Sequence, residues 1–219
     1  MSTQPLSLVD SAPLPYLLSV PSAAASMEDD WPILCFLHGY DEAAPLAIHR
    51  ALTRHGPLRP GSAKIAVEAF IVIAPQLPTS GDIWHRYAGD VRHLVERVQG
   101  QYGGNPEQQY LTGFSFGGNG VFDLSLKQRD LWAALWAVDP TRVTAADPGC
   151  PVWLSSGEVS RRRKTGFMEQ QSLALLGHGP APDRVYFDAG LDHTGTANVA
   201  YQDEQIYRWL LSKRLPAAV

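Results

Sequence analysis

The chain alternates short, continuous apolar runs with segments of helical periodicity, and this alternation restricts its possible folds more than any other feature. Seven such runs lie at 16–20, 33–37, 70–74, 110–112, 133–138, 152–154 and 185–187. Most are apolar throughout, as expected of strands that are buried on both faces. Two further sets of apolar residues have the spacing of one face of a helix. They are Val91, Leu94, Val95 and Val98, between two of the runs, and Ile206, Trp209 and Leu210, after the last run.

Strands that alternate with helices predict an α/β fold with a mostly parallel central sheet and helices on both faces. A chain of 219 residues suits one substantial core, and it contains no repeat and no long linker, so we expect a single domain over residues 1–219. Asp82 or Ser80 is the expected cap of the first helix, which should end at 100–104. Sheets of this kind bind ligands at the carboxyl ends of their strands.

Composition excludes several classes of function. The net charge of −4 is too small to favour nucleic acid or an anionic membrane as a partner. Cys35 and Cys150 each lie beside an apolar run, which suggests buried thiols in a reducing compartment. The sequence contains no basic, signal-like start and no apolar run near the ~18 residues of a membrane span, so we expect a cytoplasmic protein. No Cys, His or Asp spacing indicates a metal site.

The segment LTGFSFGGNG contains the motif G-x-S-x-G, formed by Gly113, Ser115 and Gly117. The motif alone is weak, but a strand-like run precedes it and a helix-like run follows it. This context is that of a nucleophile elbow, in which a sharp turn exposes the serine above the N-terminus of a helix. An ordinary loop or a phosphate-binding loop is the alternative, but the segment lacks the Lys-Ser/Thr ending of a P-loop and the G-x-G-x-x-G of a dinucleotide site.

The sequence resembles the α/β-hydrolase superfamily, and in particular the small serine esterases grouped with dienelactone hydrolases, carboxylesterase/phospholipases and polyhydroxybutyrate-depolymerase-like proteins. Four blocks carry the resemblance in order: PYLLSVP, PILCFLHGY, QYLTGFSFGGNG and GLDHTGTANVAYQDEQIYRWLLSKR. Together they span nearly the whole chain. The resemblance implies an α/β-hydrolase fold without a large lid domain and a serine esterase that needs no cofactor.

The resemblance also implies roles for several residues. Ser115 is then the nucleophile, and His193, in the loop before the last helix, is the general base. The backbone amides of Tyr40 and Phe116 form the oxyanion hole. His38, at the end of the second block, orders its loop by hydrogen bonding.

The triad acid is where the sequence departs from the family pattern, because Ser160 stands where the family usually has an aspartate. Asp139, at the end of the preceding strand-like run, is one substitute, and Glu158, in the expected loop, is another. Asp192, a different carboxylate or no acid at all also remain open. The residues therefore predict a triad with Asp139 or Glu158 as its acid.

The predicted function is hydrolysis of carboxylic esters through an acyl-enzyme, acting on small-molecule esters with short or soluble acyl groups. Trp84 either lines the acyl pocket or packs in the core. Thioesterase and peptidase activities remain open, because the same machinery serves every acyl transfer. The alternative from a different class is a binding protein on a hydrolase scaffold, which the missing aspartate at position 160 motivates. The oligomeric state is not predicted.

Overall fold

Eight strands form one sheet in the computed structural model, which describes residues 6–22, 30–144, 146–161, 185–188 and 190–215. In chain order they are β1 Ser7–Val9, β2 Tyr16–Ser19, β3 Trp31–Leu37, β4 Ile71–Pro75, β5 Gly104–Phe114, β6 Ala134–Val138, β7 Val152–Gly157 and β8 Val185–Asp188. Their order across the sheet is β1-β2-β4-β3-β5-β6-β7-β8. The pairs β1/β2 and β2/β4 are antiparallel, and all other pairs are parallel. The predicted α/β-hydrolase fold is confirmed.

Helices cover both faces of the sheet. Those that the structure describes are α1 Ile48–Leu52, α2 Ile65–Glu68, α3 Ala88–Tyr102, α4 Phe116–Lys127, α5 Glu158–Arg161, α6 His193–Gln202 and α7 Glu204–Leu211. Two short 3₁₀ turns lie at Tyr40–Glu42 and Trp84–Arg86. The apolar sides of α3 and α4 pack on one face. Those of α1, α2, α6 and α7 pack on the other, so the sheet is enclosed between two apolar layers.

The second strand of the parallel set, β3, shows why the apolar runs are continuous. Ile33, Cys35 and Leu37 belong to the core on the α3 and α4 side. Leu34 and Phe36 belong to the core on the opposite side. Because successive side chains of a strand point to opposite faces, both sets must be apolar when both faces are covered.

The carboxyl ends of β3, β5 and β6 meet at one place on the sheet edge. Leu37 in β3 lies opposite Gly113 in β5, and Phe114 in β5 lies opposite Val138 in β6. The chain runs outward from β3 to β4 in one direction and to β5 in the other, so the crevice between β3 and β5 is the switch point of the topology. Open α/β sheets bind ligands at this point.

The seven strands expected from apolar runs are all present, with boundaries that differ by a few residues. The three-residue edge strand β1 was not predicted, since two of its three side chains are exposed and it forms no apolar run. The expected end of α3 is confirmed by Gly103, which is left-handed with φ +67°. Its expected start is wrong, because Asp82 and Ser80 precede a separate 3₁₀ turn and α3 begins only at Ala88.

Within the described residues, no helix has the length and apolar character needed to cross a membrane. These described residues also include no inserted lid domain over the carboxyl edge of the sheet.

Candidate active site

Ser115 occupies a strained turn between β5 and α4. Its φ is +58° and its ψ is −117°, a conformation that non-glycine residues rarely adopt. It lies directly after the last residue of β5 and immediately before the first residue of α4. Because helix N-termini present unpaired N–H groups and a positive dipole end, negative charge is stabilised beside this serine.

Glycines at 113 and 117 are required by the close approach of backbone at this turn. A Cβ at Gly117 would lie 1.9 Å from the carbonyl oxygen of Leu37, and a Cβ at Gly113 would lie 2.3 Å from the carbonyl oxygen of Gly117. These distances are far below any contact between non-bonded heavy atoms. The G-x-S-x-G motif is thus a steric requirement for packing the start of α4 against the end of β3.

Asp139 is the other non-glycine residue with positive φ, at +42°, in the described part of the chain. It follows β6 directly and is completely buried. Its Oδ1 accepts a hydrogen bond from the Gly157 N–H at 3.0 Å, and its Oδ2 accepts one from the Ser160 hydroxyl at 2.8 Å. A buried carboxylate needs such donors, because an unpaired charge in the interior is very costly.

His193 is joined to Asp139. Its Nδ1 lies 2.5 Å from Asp139 Oδ2, so the imidazole donates from Nδ1 and keeps its lone pair on Nε2. The ring packs against Phe114, the residue before Ser115, with a centroid separation of 4.5 Å. His193 is the first residue of α6, and Asp192 caps that helix by accepting from the Gly195 N–H at 2.8 Å. The structure therefore brings the imidazole, a buried carboxylate and the serine turn together.

The second carboxylate considered from the sequence, Glu158, has a different position. Its Oε2 accepts a hydrogen bond from the Gly190 N–H at 2.8 Å, at the turn that leads into α6. Ser160 lies two residues later and contacts the carboxylate of Asp139 itself. The side chains at positions 139 and 160, which follow the neighbouring strands β6 and β7, therefore meet at the same place beside His193.

The loop after β3 lies beside Ser115. A Cβ built on Gly39 would lie 3.3 Å from Ser115 Cβ, which is closer than most side-chain contacts. The aromatic rings of Tyr40 and Phe116 meet edge to face, with centroids 5.7 Å apart. The two segments whose amides the sequence analysis selected as oxyanion donors are therefore in contact.

His38 orders this loop. Its Nδ1 donates to the Gly39 carbonyl at 2.7 Å, and its Nε2 accepts from the Leu77 N–H at 3.0 Å. This pattern requires the neutral ring, and burial lowers the pKa of His38 to about 4. The structural role expected for His38 agrees with these contacts.

Trp84 is completely buried, and its Nε1 donates to the His38 carbonyl at 3.0 Å. Its ring also packs edge to face on the His38 ring, 5.1 Å away, and it fills the space above Gly120. Of the two roles considered for Trp84, these contacts favour packing behind the loop over lining an acyl pocket.

A polar clamp that the sequence analysis missed holds the loop after Asp139 to α4. The buried Asn119 accepts backbone hydrogen bonds from Thr141 and Arg142, at 2.9 and 3.1 Å. The Arg142 guanidinium is bidentate to both Asp82 and Asp123. These five residues come from three separate segments of the chain and form no recognisable motif. No local pattern in the sequence could therefore have revealed the clamp.

A second polar cluster lies on the other side of the site. Glu42 is buried, and its carboxylate Oε1 is 3.6 Å from Arg54 Nη1 and 3.8 Å from His55 Nε2. Burial raises the pKa of Glu42, while Arg54 and the Gly39 amide oppose the rise. Burial, with Arg54 and Arg59, lowers the pKa of His55 to about 4, so this imidazole is neutral at pH 7. Sequence analysis did not single out either residue.

Neither thiol is suited to chemistry. Cys35 and Cys150 are both buried and free, as expected. Burial raises the pKa of Cys150 to about 12 and that of Cys35 still further, so neither forms a thiolate at neutral pH. Among the residues that the structure describes, no group of three or more His, Cys, Asp and Glu side chains could hold a metal ion.

Comparison with solved structures identifies the fold. A thermostable esterase aligns with TM-score 0.74 and 18% identity, over 96% of this chain and 63% of that protein. The acetyl xylan esterase of Aspergillus awamori aligns with TM-score 0.67 and 14% identity, over 94% and 99% of the two chains. The S-formylglutathione hydrolase of Staphylococcus aureus aligns with TM-score 0.67 and 15% identity, over 97% and 98%. No family model and no curated protein sequence matches the chain. The chain has the α/β-hydrolase fold that these enzymes share.

Proposed function

We propose that this protein is a serine hydrolase that cleaves carboxylic esters through an acyl-enzyme, with Ser115 as nucleophile, His193 as general base and Asp139 as triad acid. The observation that carries the proposal is the 2.5 Å contact of His193 Nδ1 with the buried Asp139 carboxylate. It is made beside a serine held in a strained turn, the arrangement that activates a hydroxyl nucleophile.

In the acylation step, Ser115 Oγ bonds to the ester carbonyl carbon while His193 Nε2 takes the hydroxyl proton. The carbonyl oxygen becomes an oxyanion, which the backbone N–H groups of Tyr40 and Phe116 stabilise. The intermediate then collapses, the ester C–O bond breaks, and His193 returns the proton to the leaving alkoxide oxygen. Asp139 keeps the imidazole in the reactive tautomer and stabilises the imidazolium.

Deacylation repeats these steps with water. His193 removes a proton from the water molecule as its oxygen bonds to the acyl carbon, and the second intermediate expels Ser115 Oγ, which is reprotonated. The products are a carboxylic acid and the original enzyme. Every proton is carried by a side chain of the site, so the proposed reaction needs no cofactor.

We propose short or soluble acyl groups as substrates. The described residues include no inserted domain over the carboxyl edge of the sheet. Two structural neighbours are named for an acetyl ester and an S-formyl thioester, which both carry small acyl groups. A thioester is attacked at the same carbonyl carbon and by the same serine machinery.

The first experiment measures hydrolysis of p-nitrophenyl esters from acetate to decanoate by the wild-type protein and by Ser115→Ala. We expect turnover that is fastest on the short esters and lost in the variant. A fluorophosphonate should label the wild-type protein covalently and leave Ser115→Ala unlabelled. Folded wild-type protein that neither turns over nor labels would favour the alternative of a binding protein on a hydrolase scaffold.

The second experiment assigns the acid by comparing Asp139→Asn with Glu158→Gln on the preferred ester. Loss of the triad acid costs roughly ten-thousandfold in kcat. We expect a loss of that order in Asp139→Asn, because its carboxylate contacts His193, and a loss below about tenfold in Glu158→Gln, which contacts the Gly190 turn. The opposite ranking would assign the role to Glu158.

We further propose that residues 1–219 form a single cytoplasmic domain. One sheet passes through the described ranges, and the two layers that cover it share its strands. The two buried free thiols are compatible with a reducing compartment.

A further inference from the structure

The carboxylate of Glu42 lies against the loop that contains the proposed oxyanion donor Tyr40. Glu42 is the third residue of the 3₁₀ turn Tyr40–Glu42, which begins after Gly39. A glutamate at the third position of a helical turn can reach back to the backbone N–H of the residue before the turn. Glu42 Oε2 is 2.9 Å from the position of a Cβ on Gly39, and the Gly39 amide lowers the pKa of the carboxyl.

The Glu42 side chain is buried, and the side chains of Arg54 and His55 lie near its carboxylate. Glu42 is 4% exposed, whereas the adjacent Asp41 is exposed. Arg54 Nη1 and His55 Nε2 both approach Glu42 Oε1, at 3.6 and 3.8 Å. Burying a carboxylate costs several kcal/mol unless other groups compensate. Glu42 therefore acts as an anchor, with Oε1 facing the Arg54 guanidinium and the neutral His55 imidazole and Oε2 facing the backbone of the loop.

His55 supports this anchor from the protein interior. Its Nδ1 is buried and has no hydrogen-bond partner among the described residues, and its ring packs on Phe114 with a centroid separation of 4.7 Å. In a neutral imidazole one nitrogen carries the proton, and Nε2 is the nitrogen that faces Glu42. In the tautomer that carries the proton on Nε2, the His55 N–H points towards Glu42 Oε1, 3.8 Å away.

The rest of the loop is held by other groups. His38 bonds to the Gly39 carbonyl and to the Leu77 N–H, and Gln76 Nε2 donates to the Glu42 carbonyl at 2.9 Å. These contacts secure the two ends of the segment 38–42. The Glu42 side chain acts between them, at Gly39, whose Cβ position is 3.3 Å from Ser115 Cβ.

We propose that Glu42 is a positioning residue of the oxyanion hole: through the backbone of Gly39 it fixes the turn that presents the Tyr40 amide beside Ser115. The inference rests on the proposed function, in which that amide stabilises the oxyanion. It assigns Glu42 no contact with substrate. Its effect should appear in the transition state, because an oxyanion donor acts on developing charge and scarcely on the ground state.

The test compares Glu42→Gln with Glu42→Asp in the ester-hydrolysing protein. Glutamine keeps the length and an acceptor oxygen but loses the charge, whereas aspartate keeps the charge and loses the reach. We expect Glu42→Gln to retain kcat within about fivefold. In Glu42→Asp, kcat should fall by about 10- to 100-fold with KM changed less than about threefold, since one misplaced oxyanion donor costs up to a few hundredfold.

A second readout separates positioning from general damage. Phenylboronic acid forms a tetrahedral adduct with a serine nucleophile, and its inhibition constant reports on the oxyanion hole without turnover. In Glu42→Asp its affinity should fall by the same factor as kcat. Asp41→Asn, an exposed neighbour on the same turn, is the matched control and should keep wild-type kcat and boronate affinity. Thermal unfolding of each variant establishes that it is folded.

His55→Phe tests the same anchor without altering Glu42, and it decides the matter should Glu42→Asp not fold. Phenylalanine preserves the ring contact with Phe114 and removes the N–H, so kcat and boronate affinity should fall together by several-fold. Unchanged kcat in the folded Glu42→Asp protein, or equal losses in the glutamine and aspartate variants, would overturn the positioning role while Ser115-dependent hydrolysis stands. Absence of Ser115-dependent turnover in the wild type would overturn the proposed function, and the positioning role with it.

Discussion

At the scale of single residues, strain and close approach mark the site. Ser115 and Asp139, the two non-glycine residues with positive φ in the described ranges, are also the proposed nucleophile and acid. Such conformations cost about 1–3 kcal/mol and persist where the surrounding structure enforces them. The strained conformation of Ser115 is held by the close packing of α4 against the end of β3, which the neighbouring glycines allow.

The glycine at position 117 should be irreplaceable. In Gly117→Ala, the added Cβ would lie 1.9 Å from the Leu37 carbonyl oxygen, a backbone atom in a central strand that cannot move away. We expect a loss of about 3 kcal/mol or more in the free energy of unfolding, measured by urea titration. Gly100→Ala is the control, because it lies exposed in α3 with no neighbour within 4 Å of the added atom. That change should stabilise the protein by about 0.5–1 kcal/mol, and equal effects at the two positions would contradict this account.

At the scale of elements, two neighbouring strands converge on one carboxylate. Asp139 follows β6 and Ser160 follows β7 by a few residues, yet the Ser160 hydroxyl is 2.8 Å from Asp139 Oδ2. The same oxygen meets His193. Because β6 and β7 are parallel and paired, their carboxyl ends lie side by side. Under the proposed mechanism, the absence of an aspartate at 160 does not remove the acid, because the residue that follows the adjacent strand β6 supplies a carboxylate at the same place.

This convergence predicts that the acid can be moved between the two strands. Asp139→Ser should lose roughly three to four orders of magnitude in kcat on the preferred ester. In the double variant Asp139→Ser/Ser160→Asp, the residues exchange places around the His193 ring. We expect it to recover at least about tenfold over Asp139→Ser. Ser160→Asp alone should be less active than the wild type, because a second carboxylate in contact with the buried Asp139 disfavours ionisation of both.

No recovery in a folded double variant would show that the backbone after β7 does not bring an aspartate to the imidazole. Circular dichroism and thermal unfolding establish the fold of each protein. The comparison uses one ester and one pH, so that a changed substrate preference is not mistaken for a changed acid.

At the scale of the whole molecule, the buried imidazoles link stability to pH. His38 and His55 have pKa values lowered to about 4 by burial, from an ordinary value of 6.5. Between these values the unfolded chain binds protons that the folded protein does not, so the free energy of unfolding falls as the pH is lowered from about 6.5 towards 4. Burial raises the pKa of Glu42, so at pH values just above its ordinary pKa this group makes the free energy of unfolding rise as the pH is lowered.

Replacing one of these buried histidines should weaken the dependence of the free energy of unfolding on pH. For a group with these two pKa values, the free energy of unfolding changes by about 1–2 kcal/mol between pH 7 and pH 5. We expect the loss between these pH values, measured by urea unfolding, to be smaller by that amount in His55→Gln than in the wild type. His49→Gln, an exposed histidine nearby in the chain, should leave the dependence unchanged. An identical pH dependence in His55→Gln and the wild type would contradict the buried, neutral state of His55.

The sequence by itself determined what depends on neighbours along the chain. Continuous apolar runs predict buried strands, helical spacing predicts α3 and α7, and the glycines around Ser115 predict the turn, because each is a local condition on backbone or burial. It failed at the start of α3 and at β1, where the local signal is weak.

Only the tertiary structure decided which distant groups meet. The contacts of Asp139 with His193 and Ser160, the clamp made by Arg142, and the burial of Glu42 against Arg54 and His55 each join separate elements. Which carboxylate reaches the imidazole depends on the order and register of β6, β7 and the loop before α6. Those are properties of strand pairing across the whole sheet, so no pattern within one segment of the sequence contains them.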